Sequence, residues 1–178
     1  MRTASAKLER ERDTIWQSPE ASERLTILDA ILKQNPIPTA YRLAYVANFY
    51  VGPLVNMMAS EFKMTRPEWI VLFCLSQQEG LNAQQISVVT GRPKTSVSLA
   101  VSQLTKKKLI ARRTDVQDAR RQVLTLTPKG RSIYRAILKS FVDREAAMIS
   151  CLDLNERETL GALLEKMVRR SINWAKPY

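Results

Sequence analysis

The chain has 178 residues, 45% of them apolar, and carries 28 Lys and Arg against 17 Asp and Glu for a net charge of +11. That length suits one domain, or one compact module plus an oligomerisation element, and only five glycines argue against a turn-rich sheet fold. There is no histidine, which removes His-based acid–base and nucleophilic catalysis and His metal ligation, and Cys74 and Cys151 alone cannot build a metal site or a disulfide framework.

From the N-terminus, "MRTASAKLERERDTIWQ" is polar and lacks the apolar centre of a secretion signal. No stretch approaches the roughly 20 apolar residues of a membrane span, so a cytoplasmic location and no membrane partner are expected. Ser22 to Leu32 places Leu25, Leu28, Ile31 and Leu32 on one helical stripe, and "NPIP" at 35–38 breaks it. Thr39 is expected to cap a longer helix reaching Phe62, bent at Gly52-Pro53. Its sequence is apolar on nearly every face, so more than one monomer's core is expected to cover it.

Pro67 opens a third helix, "PEWIVLFCLSQQ", with Trp69, Leu72, Phe73 and Ser76 on one expected face. Asn82 and Gln85 form a capping-box start for "NAQQISVVT", and Gly91-Arg92-Pro93 makes a tight turn. The next helix, Pro93 to about Lys107, turns Val97, Ala100, Val101 and Leu104 inward. Leu109–Arg113 and Gln122–Leu126 read as a hairpin around the polar tip "TDVQDARR". Thr127 and Pro128 start a helix to about Ser150, and Asn155 with Glu158 is the expected capping box of a last one.

The order helix, helix, tight turn, polar-faced helix, basic hairpin is that of a winged helix-turn-helix. The expected fold is therefore mainly α with a small β-hairpin wing. A single helix fits the major groove of duplex DNA, and small hydroxylated residues such as Thr95, Ser96, Ser98 and Ser102 allow close approach to base edges and phosphates. An arginine-tipped hairpin can reach the negative potential of a minor groove. Charge agrees, because Asn82 to Arg131 holds eleven cations and only two acids. A merely solvated face would interleave both signs. Arg92, Lys94, Lys107, Arg113, Arg120 and Arg121 join the four hydroxylated residues as expected contacts to double-stranded DNA.

These residues carry a resemblance. "TRPEWIVLFCL", "VSLAVSQLTKKKLIARR", "DARR" at 118–121 and "LTLTPKG" at 124–130 resemble the MarR family of bacterial transcription regulators. The likeness implies a DNA-binding domain at 64–130, dimerisation helices at 39–63 and 131–178, and an N-terminal extension at 1–38. It also implies that Asp118 braces the wing while Arg120 enters the minor groove, with Lys94, Thr95, Ser96 and Ser98 facing the major groove. Two positions depart from the family pattern: Lys108 stands where Gly is usual, and Ala119 where a second wing arginine is frequent.

The apolar flanking helices and the small footprint of one winged module point to a homodimer reading two half-sites. The family resemblance further implies a repressor relieved by a small aromatic acid or related anion. Tyr41, Arg42, Tyr45, Phe49, Trp69 and Phe73 are the candidates to line its pocket, since an arginine among aromatics suits a carboxylate on a ring. No metal or cofactor is implied, and without a phosphate loop or a catalytic spacing an enzyme is not expected. Two rival readings are a non-specific architectural DNA binder and a cysteine-based redox-sensing repressor. Against the second, Cys74 lies in apolar "LFCL", where its thiol pKa should rise.

Overall fold

The computed structural model describes residues 19–114 and 122–171. The helices are α1 (Pro19–Lys33), α2 (Pro38–Phe62), α3 (Arg66–Gln77), α4 (Ala83–Thr90), α5 (Lys94–Lys106), α6 (Pro128–Met148) and α7 (Leu154–Arg169). Strands β1 (Ile110–Thr114) and β2 (Gln122–Leu126) lie between α5 and α6. Asp118, Arg120 and Arg121 fall outside the described residues. The described residues fall into two compact units that divide between Phe49 and Tyr50, inside α2.

In the first unit α1 begins at Pro19, earlier than its apolar stripe alone suggests. The Asn35 side-chain oxygen accepts from the Ile37 N–H at 2.8 Å and turns the chain into α2. That helix opens at Pro38 and not on a Thr39 cap. A proline there forfeits no hydrogen bond, because first-turn N–H groups have no intrahelical acceptor.

In the second unit α2 continues through Pro53. The Tyr50 carbonyl, in the turn that the proline ring crowds, accepts from Arg144 Nε of α6 at 2.7 Å. Helix α3 is the hub of this unit and packs on α5, α6 and β2. Its buried residues are consequently Glu68, Trp69, Val71, Leu72 and Leu75. The stripe expected from Trp69, Leu72, Phe73 and Ser76 is corrected, because the buried face is centred on Glu68, Val71, Leu72 and Leu75, and a buried glutamate is not anticipated from its charge. Phe73 is exposed, whereas Met58, Ile86, Val97, Leu104, Leu109 and Ile137 complete the core around the hub.

The wing is an antiparallel pair in the register Ile110↔Leu126 through Thr114↔Gln122. The other edge of β2 is held by Gly80 and Leu81: the Gly80 N–H donates to the Leu124 carbonyl at 3.0 Å, and the Leu124 N–H donates to the Leu81 carbonyl at 2.9 Å. Helix α7 is capped by Asp153 and Glu156, not by Asn155 and Glu158. Both pairs have the spacing of a capping box. Extended backbone falls at Asp153, whose side chain accepts from the Glu156 N–H at 2.9 Å.

Candidate nucleic-acid interface

The polar-faced helix α5 is set on the core by α4. Asn82 and Gln85 cap α4 reciprocally, each bond 2.9 Å long. Gly91 then takes a left-handed φ of 64°, which costs glycine nothing. The Ser87 hydroxyl donates to the Arg92 carbonyl at 2.7 Å and pins the turn. No side chain caps the N-terminus of α5. Its first-turn N–H groups therefore have no side-chain acceptor, and Lys94 and Thr95 beside them are both exposed.

Val97, Ala100, Val101 and Leu104 are buried. The helical period then places Thr95, Leu99, Ser102 and Lys106 on the opposite ridge, with Ser98 beside it. Thr95, Ser98, Leu99 and Lys106 are exposed, and Ser96 and Ser102 are half-buried. Arg92 is half-buried, and burial lowers the pKa of its guanidinium from the ordinary value, with repulsion from Arg66 adding to the effect. Arg66, at the start of α3, is the cation whose charge acts on Arg92. Sequence reasoning began its basic segment at Asn82 and missed it.

Strand alternation separates the two wing arginines. Arg112 pairs with Leu124 and lines a hollow of about 370 Å³ together with Gln84, Ser98 and Gln122. Arg113 pairs with Val123 and so points to the other sheet face. Arg112, absent from the expected contacts, is thus the described wing cation that shares a concavity with α5.

Lys107 is engaged within the fold. Its ammonium, expected to meet phosphate, lies 2.6 Å from Glu68 Oε1 and donates to the Lys63 carbonyl at 2.7 Å. Glu68 is 2% exposed, and its other oxygen accepts from the Thr65 N–H and hydroxyl. A buried carboxylate demands such partners, and Lys107 supplies one of them. Arg131 is likewise paired, with Glu79. Of the other described cations in the segment, Arg92, Lys94, Lys106, Lys108, Arg112, Arg113 and Lys129 form no ion pair with a described residue.

The aromatic set divides. Tyr41, Tyr45 and Phe49 form a ladder on α2, with centroid separations of 6.1 and 4.7 Å. With Glu23, Arg24, Ile27, Leu28 and Ile31 of α1 they line a groove of about 360 Å³. Its cation is Arg24, not the expected Arg42: Arg24 Nη2 donates to the Tyr45 hydroxyl at 3.2 Å, and its guanidinium sits 4.7 Å from the Phe49 ring centroid. Trp69 belongs to the second unit. At 5% exposure it stacks on Tyr134 and Phe141, so it packs as core. Among the described residues no group of three His, Cys, Asp or Glu could hold a metal ion. No described helix is long and apolar enough to cross a membrane.

Residues 62–121 match the sequence profile of the MarR family. Among solved structures, S. aureus MepR in complex with DNA is 28% identical, with 76% of this chain and 98% of that chain aligned at a TM-score of 0.67. A MarR/EmrR family transcriptional regulator from Acinetobacter sp. ADP1 is 25% identical over 75% of this chain and 94% of that one, with a TM-score of 0.66. Bordetella bronchiseptica BpsR, whose DNA binding is regulated by 6-hydroxynicotinic acid, shares the fold at 23% identity, 72% and 91% coverage and a TM-score of 0.63. A comparison with curated protein sequences returned no match.

Proposed function

We propose that the chain is a DNA-binding transcription regulator of the MarR family, to which residues 62–121 are similar, and that it acts as a homodimeric repressor of a pseudo-palindromic operator. The observation that carries this reading is the polar ridge of α5 with its surrounding cations, Arg66, Arg92, Lys94, Lys106 and Arg112. Such a surface meets a polyanion over an area that one helix in the major groove and one wing beside it would cover. Asp118, Arg120 and Arg121 complete the proposed wing contact.

Dimerisation is supported by apolar surface left uncovered at both ends of the chain. Leu43 and Val46 of α2 are exposed, as are Leu163 and Val168 of α7, the last at 69%. No residue of α7 is buried, although its apolar face is continuous. A second copy would remove that face from water and would place two recognition helices on one duplex.

The effector is proposed to be a small aromatic acid seated in the α1–α2 groove. Ring faces of Tyr41, Tyr45 and Phe49 would stack on its ring, and Arg24 would pair with its carboxylate. Binding there would relieve repression by favouring a half-site separation unsuited to DNA.

Footprinting on the DNA flanking the coding region tests the core of the proposal. At fixed salt, with random duplex as competitor, protection of a two-fold symmetric site is expected. Equal affinity for operator and random duplex would make the protein an architectural binder instead.

A further inference from the structure

Leu99 is the anomaly of the DNA-facing ridge. It is 62% exposed at the middle of α5, between Thr95 and Ser102 on the outward face. The core of its unit is complete without it, since Val97, Ala100, Val101 and Leu104 fill the inward positions. Leu99 forms one wall of a concavity of about 520 Å³ that Pro67, Ala100, Ser96 and Gln103 also line, and it stays largely exposed there. A large apolar side chain there gains nothing from water and cannot bond a phosphate. The exposed residues beside it are suited to the polar edges of bases, and the one apolar group a base pair presents in the major groove is the C5-methyl of thymine.

We propose that Leu99 is a specificity-determining residue that packs on a thymine C5-methyl in each operator half-site. The inference rests on the reading of α5 as the groove helix. Removing a methyl from water against a leucine favours thymine over cytosine, which lacks the group. It also favours thymine over deoxyuridine, which has the same hydrogen-bonding edge. Thr95, Ser98 and Ser102 would read polar edges on either side, so the leucine sets one position and not the whole site.

The experiment uses a duplex selected by the wild-type full chain from a random library, with each thymine replaced in turn by deoxyuridine. At one thymine per half-site the wild type should bind about threefold to fivefold more weakly after replacement, the effect of one buried methyl. Leu99→Ala should bind the parent duplex more weakly and be indifferent to deoxyuridine at that position, while retaining the wild-type response elsewhere. Indifference of the wild type at every thymine, or an undiminished response in Leu99→Ala, overturns the proposal. Lys94→Ala and Thr95→Ala separate the two levels. If neither alters affinity or preference, α5 is not the groove helix and both readings fall; if they do and the deoxyuridine coupling is absent, only the role of Leu99 falls.

Discussion

Lys107 and Glu68 stand 39 residues apart in sequence, yet their charged atoms meet at 2.6 Å and join the end of α5 to the capped start of α3. Glu68 is buried and Lys107 about one-third exposed, so the pair is unequal. Removing the cation leaves a carboxylate without its counter-charge in the interior. Lys107→Met is expected to destabilise the fold by about 3 kcal/mol, the lower end of the range for breaking a buried pair because solvent still reaches the lysine. Denaturant unfolding measures it. The double variant Glu68→Leu with Lys107→Leu should recover most of the loss, and failure to do so would mean that the pair organises more than its own charges.

Gly130 supplies a second junction. A Cβ placed there would lie 2.0 Å from the Leu109 carbonyl oxygen, which is backbone and cannot swing aside. The same carbonyl accepts from the Thr127 N–H at 3.0 Å and from its hydroxyl at 3.1 Å, so the first turn of α6 is drawn onto the start of the wing. Gly130→Ala should therefore cost about 3 kcal/mol of stability by overpacking. A neutral result in thermal or denaturant unfolding would show that α6 can retreat from the strand.

Lys108 adopts φ of 58°, the left-handed region. Around it the Leu109 N–H donates to the Leu104 carbonyl at 2.9 Å and the Lys108 N–H to the Thr105 carbonyl at 3.0 Å, the two bonds of a Schellman helix end. The motif forms with lysine where glycine is the usual occupant, at the steric cost of a side chain in that region. Lys108→Gly should stabilise the protein by about 1 kcal/mol. A lower melting temperature in the variant would contradict the strain.

What could be read from the chain followed the directness of the physical signal. Helix α5 was legible because Val97, Ala100, Val101 and Leu104 repeat at the period of one buried face. Helix α3 was read less well: its buried face is centred on Glu68, Val71, Leu72 and Leu75, and because a buried glutamate is not anticipated from its charge, the expected face was turned toward Phe73 and Ser76. The α7 cap offered two acceptors, Asp153 and Asn155, each with a glutamate three residues on, and only the backbone turn after α6 chooses between them. Lys107 looked like any other lysine of a basic run, since nothing local reveals a carboxylate partner so distant in sequence. Arg24 was hidden for a similar reason: its role depends on α1 lying beside the aromatic ladder of α2, a tertiary relation that the charge pattern of the first 38 residues does not encode.

The cysteines differ in reach. Cys74 is half-buried in α3, and burial pushes its thiol above the ordinary range, with a backbone hydrogen bond acting weakly the other way. Cys151 is exposed in the α6–α7 turn. At neutral pH a thiol-alkylating reagent should label Cys151 first, and Cys151→Ser should leave only a slow phase whose rate climbs as pH rises towards the thiol's raised pKa. Peroxide should leave DNA binding intact. Rapid oxidation of Cys74, with loss of DNA binding that Cys74→Ser prevents, would reinstate the redox-sensing reading.

Salt dependence discriminates cations that meet DNA from those that hold the fold. Each phosphate neutralised adds close to one unit to the slope of log affinity against log salt. Lys94 is exposed at the uncapped start of α5 and Arg112 lines the hollow between α5 and the wing, so Lys94→Ala and Arg112→Ala should each lower the magnitude of the slope by about one. Lys107 spends its charge on Glu68. Lys107→Met, measured where it remains folded, should therefore leave the slope unchanged even though it carries away the same formal charge. Reduction of the slope by Lys107→Met to the same degree as by Lys94→Ala would mean that the Glu68 pair opens on the duplex, and the division between structural and DNA-facing cations would fail.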